Sequence, residues 1–180
     1  MFCGARPGQY PETAAAAREV GALIGARGHH LVYGGGGSGL MGEVAWAASR
    51  AGAGITGYTP RFLYERELAI AAPPQELQLT DDMFERKRLM IDQADVFLAL
   101  PGGYGTLDEV LDVLSLNCLD VSRKPLVLVD TEGFWSPLLQ AVESLQKLGF
   151  ADDGQGVLFH TARSAQEALE TVELLAGAGS

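Results

Sequence analysis

The chain has 180 residues, 23 of them glycine, and its 23 acidic residues outnumber its 13 basic ones for a formal net charge of −10. One domain over residues 1–180 is expected, because domains commonly contain about 100–200 residues. Hydrophobic residues make up 47% of the chain, which is enough for a core and argues against disorder. The acidic balance argues against a nucleic-acid polymer as partner, since such binding needs a basic face, but it leaves small phosphate-bearing molecules open.

Membrane and metal-binding classes are also disfavoured. No apolar stretch approaches the ~18 residues of a membrane span, and the first residues lack the charged and apolar regions of a signal peptide. A cytoplasmic protein with no membrane partner is therefore predicted. The residues Cys3, Cys118, His29, His30 and His160 lack the spacing of metal ligands, so no metal site is predicted.

Short apolar runs alternate along the chain with longer segments of helical period. Several runs are continuously apolar, as in strands buried on both faces of a parallel sheet. This alternation predicts an α/β fold, a single doubly wound Rossmann-like domain with a mainly parallel sheet. In chain order we predict a very short first strand ending at Phe2-Cys3, a helix over 12–27, a strand over 31–33, a helix over 40–51, strands over 55–58 and 77–79, a helix over 83–93, a strand over 96–100, a helix over 107–118, a strand over 126–129, a helix over 135–148, a strand over 157–159 and a helix over 164–176.

A first glycine loop, residues 34–42, contains six glycines between a predicted strand and a predicted helix. Glycines let backbone amides approach a ligand closely, and a helix N-terminus favours an anion. Gly34, Gly36 and Gly39 match G-x-G-x-x-G, but no carboxylate follows at 57–59, where a dinucleotide site needs one. No Lys-Ser/Thr pair follows either, so a P-loop is excluded. A tight turn with close packing and direct ligand contact both stay open.

A second glycine loop, residues 101–105, follows the strand predicted at 96–100. Open α/β sheets bind ligands at the carboxyl ends of their strands, and three glycines expose several amides there. The loop is therefore predicted to hold a phosphate. Thr106 and Glu109 also have the T-x-x-E spacing of a capping box, and on spacing alone capping is the preferred role for Glu109.

A basic cluster, Arg86, Lys87 and Arg88, lies in the first turns of the helix that Asp82 and Glu85 begin as a D-x-x-E start. The helix dipole disfavours cations at this end, so their presence needs an explanation. One is a solvated face with i,i+4 partners, and the other is a pocket wall that donates hydrogen bonds to a phosphate or ribose. Five of the 13 basic residues lie between positions 61 and 88, which indicates a local positive patch.

Taken together, these segments resemble the Lonely Guy (LOG) family, long labelled as possible lysine decarboxylases. The resemblance covers nearly the whole chain, and it implies Rossmann-type homodimers or larger homo-oligomers without a cofactor. It implies hydrolysis of the N-glycosidic bond of adenosine monophosphates, especially N6-modified ones, to a free base (a cytokinin, for prenylated adenines) and ribose 5-phosphate. The matching segments are Cys3-Gly4, Y-G-G-G-G-S-G-L-M-G at 33–42, residues 60–67 with E-R-E, M-F-E-R-K from Met83, P-G-G-Y-G-T-L-D-E from Pro101, and Arg123-Lys124-Pro125.

The resemblance assigns Arg86 and Glu109 to catalysis. Two departures bear on substrate preference: Ala5-Arg6 replaces a pair of serines, and Phe84 replaces the commoner histidine. The substrate-binding positions implied by the resemblance are Glu67, Arg86, Lys87, Gly102, Gly103, Tyr104, Gly105, Thr106, Leu107, Asp108 and Ser115.

Two alternatives stay beside this hypothesis. One is a general nucleosidase for AMP or other purine nucleotides, and the other is a non-catalytic nucleotide- or cofactor-binding carrier on the same fold. Decarboxylation through a pyridoxal cofactor is rejected, because Lys87, Lys124 and Lys147 are the only lysines and none has a recognisable pyridoxal context. Retention of both Arg86 and Glu109 favours the enzyme over the carrier.

Overall fold

The computed structural model describes residues 1–67, 70–151 and 159–178, apart from the side chains of Glu67 and Ala178. Within these ranges, no helix is long and apolar enough to cross a membrane. The helices are α1 (Pro11–Ala26), α2 (Gly39–Arg50), α3 (Arg61–Glu67), α4 (Met83–Gln93), α5 (Tyr104–Cys118), α6 (Ser136–Lys147) and α7 (Ala165–Ala178). The strands are β1 (Leu31–Tyr33), β2 (Ile55–Pro60), β3 (Glu76–Thr80), β4 (Phe97–Ala99), β5 (Leu126–Val129) and β6 (His160–Ala162).

All the strand pairs are parallel, in the orders β1-β2-β3 and β4-β5-β6. Phe2 lies between the two groups: its N–H donates to the Leu98 carbonyl at 2.8 Å, and its carbonyl accepts from the Leu100 N–H at 3.0 Å. On the other side, the Met1 amino group donates to the Val32 carbonyl at 2.9 Å. The predicted first strand is thus reduced to one bridging residue. From the centre of the sheet, between β1 and β4, the chain connections run outward in opposite directions in the two groups of strands. This reversal creates the crevice where doubly wound folds bind ligands.

Alternate residues of the central strands point to opposite faces of the sheet, and both faces are covered. Val127 and Val129 of β5 pack with α1, α2 and α7, whereas Leu126 and Leu128 pack with α4 and α5. This two-sided burial explains why the runs are continuously apolar. The predicted α/β, doubly wound class is confirmed.

Two elements differ from the sequence prediction. Helix α3 directly follows β2 and was not predicted, because seven residues are too few for a clear helical period. The strand predicted at 157–159 is wrong in position: β6 is His160–Ala162, and residues 157–158 lie outside the described residues. An edge strand needs little apolar sequence, and β6 leads directly to Ser164, whose side chain accepts from the Glu167 N–H at the start of α7.

Candidate active site

A cleft of about 870 Å³ opens at the carboxyl ends of β1, β2 and β4. Its walls come from residues 3–10, from the first glycine loop at Gly34 and Gly36, and from the second loop at 101–105. Arg86 of α4 and Glu109 of α5 also line it. The crevice predicted by the strand order is therefore a real cavity, and it contains both residues assigned to catalysis by resemblance.

Arg86 is buried, although it is an arginine in the second turn of a helix. Its Nε donates to the Tyr58 carbonyl of β2 at 3.0 Å, and its Nη2 lies 3.3 Å from Glu109 Oε1. The guanidinium also passes directly over Gly34, where any Cβ would overlap Nη2. The solvated-face explanation is therefore wrong for Arg86. Asp82 accepts hydrogen bonds from the second- and third-residue amides of α4, which confirms the predicted helix start.

Glu109 is 6% exposed and faces Arg86 inside the cleft. Burial raises the pKa of its carboxyl above the usual range, and the Arg86 guanidinium opposes that rise without cancelling it. A carboxylate with a raised pKa is a better proton acceptor near neutral pH than an ordinary one. The pair combines a fixed cation with a carboxylate that can take up a proton.

The capping box predicted for Thr106 and Glu109 is wrong. Helix α5 begins at Tyr104 with Gly103 as its N-cap, and among the described residues no side chain caps it. The extended backbone of Gly103 lets the helix start before position 107, so Thr106 is already inside the first turn and buried. Glu109 is thereby rotated toward Arg86, and the first amides of α5 are free to donate to a ligand.

The first glycine loop divides into two parts. Gly34 and Gly36 line the cleft, as do Leu40 and Met41 at the start of α2, but the amides of the latter two are bonded within the chain. The Gly4 carbonyl accepts from the Leu40 N–H at 3.0 Å and from the Met41 N–H at 3.3 Å. Close packing therefore explains the α2 end of the loop, where these two amides are not available to a ligand, and direct backbone contact stays open at the β1 end.

Lys87 and Asp108, predicted to bind substrate, are paired with each other rather than placed on the cleft wall. Lys87 Nζ lies 2.9 Å from Asp108 Oδ2 and 2.7 Å from Asp112 Oδ2. Leu107 is half-buried against the core, and Ser115 is exposed outside the cleft lining. The side chain of Glu67 lies outside the described residues. The predicted residues that do line the cleft are Arg86, Gly102, Gly103, Tyr104, Gly105, Thr106 and Glu109.

The cleft also contains residues outside the set predicted to catalyse or to bind substrate. Tyr10 and Phe134 are partly exposed aromatic side chains on its rim, and Arg6 is an exposed cation on the same wall. Arg6 could be found from the sequence, because Ala5-Arg6 replaces a pair of serines in the family pattern. Phe134 could not, because it follows β5 in a turn that no motif marks. Cys3 is buried at the cleft, and burial raises the pKa of its thiol to about 12, so it stays neutral.

Comparison with known proteins finds similar sequences and structures over most of the chain. A family model described as possible lysine decarboxylase matches residues 41–172. The chain is 37% identical over 174 residues to the Oryza sativa subsp. japonica protein named cytokinin riboside 5'-monophosphate phosphoribohydrolase LOG, covering 96% of this chain and 71% of that one. It is 36% identical over 173 residues to the phosphoribohydrolase LOG7 of Arabidopsis thaliana, covering 96% and 79%. The solved Moco carrier protein from Chlamydomonas reinhardtii superposes with a TM-score of 0.73 at 25% identity, covering 99% and 95%.

Proposed function

Because this chain belongs to the LOG family, whose model is described as possible lysine decarboxylase, we propose that it hydrolyses the N-glycosidic bond of adenosine 5'-monophosphates, N6-modified ones in particular. The products are the free base and ribose 5-phosphate. Relatives at 36–37% identity are named for this reaction on cytokinin riboside monophosphates. The observation that carries the proposal is the buried Arg86–Glu109 pair, 3.3 Å apart, beside an open glycine loop in one cleft.

The second glycine loop suits the 5'-phosphate of such a substrate. The first amides of α5 have no partner within the helix, and the helix dipole adds a partial positive charge at the same point. Arg6 and Arg86 line the same cleft and offset part of the phosphate charge. A phosphate held here anchors the substrate at a distance from the bond that breaks, and this orients the ribose for reaction.

Glu109 suits the chemical step. Cleavage of an N-glycosidic bond passes through a state with positive charge on the ribose, which a nearby carboxylate stabilises. Glu109 orients a water molecule and accepts one of its protons as the water oxygen bonds to the anomeric carbon. The bond to the base breaks, its electron pair leaves on the base nitrogen, and that nitrogen takes up a proton from solvent while Glu109 returns its proton to solvent. Water is the only co-reactant.

Arg86 acts as a fixed cation rather than as a proton donor, because a guanidinium does not deprotonate in proteins. Its Nε is held by the Tyr58 carbonyl, so its position is set before substrate arrives. It faces Glu109 in the cleft that the second glycine loop also lines, and there it offsets the repulsion between the carboxylate and a bound phosphate. We assign it to positioning and charge compensation at the reacting end of the cleft.

The three lysines argue against decarboxylation through a pyridoxal Schiff base. All lie within the described residues, and none lines the cleft. Lys87 pairs with carboxylates of α5, and Lys147 Nζ lies 2.6 Å from Glu143 on the surface. Lys124 Nζ donates to the carbonyls of Ile91 and Asp92. Each ammonium is thus committed to contacts away from the cleft.

The proposal is tested by incubating the protein with AMP, N6-isopentenyl-AMP and other nucleoside monophosphates, followed by chromatography for free base and ribose 5-phosphate. We expect release from adenosine monophosphates. Release from all purine nucleotides at similar rates would support the general nucleosidase instead. Tight nucleotide binding without release from any of them would overturn the hydrolase and support the carrier.

We also propose a homodimer or larger homo-oligomer, as the resemblance implies, in the cytoplasm. Tyr104 and Leu111 of α5 and Leu119 directly after it are apolar side chains of which 93%, 51% and 69% of the surface is exposed. Exposed apolar side chains of this kind support burial against another subunit. Sedimentation at micromolar concentration tests this, and a monomer would contradict it.

A further inference from the structure

Two neighbouring cations of α4 contact carboxylates along α5. Arg86 reaches Glu109 inside the cleft. Lys87, the next residue, instead places Nζ 2.9 Å from Asp108 Oδ2 and 2.7 Å from Asp112 Oδ2, outside the cleft lining. The two helices are therefore joined by ion pairs immediately beside the carboxylate that the proposed reaction uses.

Lys87 is enclosed at this junction. Only 10% of its side chain is exposed, and the ring of Phe84 lies 5.6 Å from Nζ. Burial by itself would lower the pKa of Lys87, but the hydrogen bonds to Asp112 and Asp108 outweigh it and raise the pKa above its ordinary value. The side chain therefore stays charged, and two of its three donors are taken up by the protein.

We propose that Lys87 is a positioning residue for Glu109 rather than a ligand of the substrate, an inference that rests on the proposed function. Asp108 and Asp112 lie one turn apart on α5, so Lys87 holds the second and third turns of that helix against α4. This keeps Glu109 opposite Arg86. Because the second glycine loop leads into the first turn of the same helix, the contact also sets the distance between the phosphate cradle and Glu109.

The charges around Glu109 give this role a measurable signature. After burial, which raises the pKa of Glu109, the groups that act on it are Arg86 and Lys87 of α4, the Met1 amino group and Asp108 of α5. The cations lower the pKa and Asp108 raises it. Lys87→Met therefore leaves Asp108 uncompensated and raises the pKa of Glu109 further, whereas Asp108→Asn lowers it.

Carbon-13 NMR titration of the Glu109 carboxyl tests the inference without needing turnover. The resonance is identified by its loss in Glu109→Gln. We expect the midpoint to move to higher pH in Lys87→Met and to lower pH in Asp108→Asn. Lys147→Met, which removes an exposed lysine–carboxylate pair on α6, is the matched control and leaves the midpoint unchanged. An unchanged or lowered midpoint in Lys87→Met overturns the inference.

Ligand binding and turnover separate positioning from direct contact. By calorimetry with ribose 5-phosphate, Lys87→Met should change the Kd by less than about threefold, whereas a lost phosphate ligand costs about tenfold or more. With AMP, kcat should fall by about 10- to 100-fold at nearly constant KM, since small displacements of a catalytic group have effects of this size. Lys87→Arg should recover most of that loss. A tenfold weaker Kd in Lys87→Met contradicts positioning.

The two proposals fail in different ways. If wild-type protein releases no base, the hydrolase is refuted, while the titration and the ribose 5-phosphate binding still decide the role of Lys87. If Lys87→Met does not fold, Lys87→Arg and Asp108→Asn carry the titration. Lys87→Arg then keeps the wild-type midpoint and Asp108→Asn lowers it, and any other result overturns the inference.

Discussion

The two glycine loops of this protein have similar compositions and opposite surroundings. In the first, Gly39 has a φ of +56°, and a Cβ there would overlap the backbone of Ala5. In the second, a Cβ at Gly102 would overlap the Thr106 side chain, whereas a Cβ at Gly103 or Gly105 would meet no described atom within 4 Å. The α2 end of the first loop is therefore filled by the chain, and the second is open to a ligand at Gly103 and Gly105.

Gly4 is the residue that separates the two roles. Its carbonyl accepts from the amides of Leu40 and Met41, which occupies the start of α2. Its own N–H donates to the Pro101 carbonyl at 3.1 Å, so at the second loop it contacts a carbonyl and takes up no amide. One segment between β1 and β4 thus closes one helix N-terminus and borders the other. A glycine-rich helix start predicts an anion site only where no other part of the chain has taken its amides.

The largest expected effect concerns Glu109, on the helix that follows the second glycine loop. Glu109→Gln should lower kcat for AMP by about 10²- to 10⁴-fold while nucleotide binding is retained, because the amide cannot accept the proton of water. Since the pKa of Glu109 is raised, wild-type activity should fall as pH drops through that raised value, and the variant should lose this acid limb. Initial rates across pH measure both. Glu143→Gln on α6 is the control, and undiminished turnover in Glu109→Gln would refute the assignment.

The next largest effect is the loss of stability expected from a substitution in the first glycine loop. Gly39→Ala combines a left-handed backbone with overlap against Ala5, so the free energy of unfolding should fall by about 3 kcal/mol. Urea unfolding measures this. Gly52→Ala is a matched control with φ +87° but no described atom near its Cβ, so it should cost only the backbone strain of about 1–2 kcal/mol. Equal losses in the two variants would show that packing at Gly39 is unimportant.

Gly105→Ala should have the reverse profile. Its φ is not left-handed and its Cβ position is open, so alanine in the first turn of α5 should raise the free energy of unfolding by about 0.5–1 kcal/mol. The added methyl group occupies the cradle, and AMP should bind about tenfold more weakly. Calorimetry with AMP and with adenosine, which lacks the phosphate, separates the two effects. Unchanged AMP affinity would contradict a phosphate at this loop.

The smallest expected effect is at Arg6, in the N-terminal segment that packs on the first glycine loop and borders the second. The residue follows Ala5, whose backbone packs on Gly39, and it lines the cleft. Arg6→Ser should weaken AMP binding by about two- to fivefold, more at low salt, and leave adenosine unaffected, because an exposed cation is screened by solvent. Arg50→Ala, at the exposed end of α2, controls for net charge. A loss shared equally by adenosine would assign Arg6 to the base or ribose instead.

Much of the architecture followed from local pattern. Continuous apolar runs indicated strands buried on both faces, and the D-x-x-E start at Asp82 was confirmed by its hydrogen bonds. The errors lie where local pattern carries little information. Helix α3 is too short for a period to show, and β6 is an edge strand with one buried residue among three.

The sequence by itself determined the α/β class, because periodicity and glycine placement are properties of short segments. It singled out Arg86 and Glu109 only through the resemblance of M-F-E-R-K and P-G-G-Y-G-T-L-D-E to the LOG family. The tertiary structure decided what those segments do. Glu109 had a capping partner by spacing, but the helix starts at Tyr104 and turns it to Arg86. Lys87 and the amides at the end of the first loop bind groups in other parts of the chain. The sequence did not predict these contacts, because a contact between distant segments is not encoded in either segment alone.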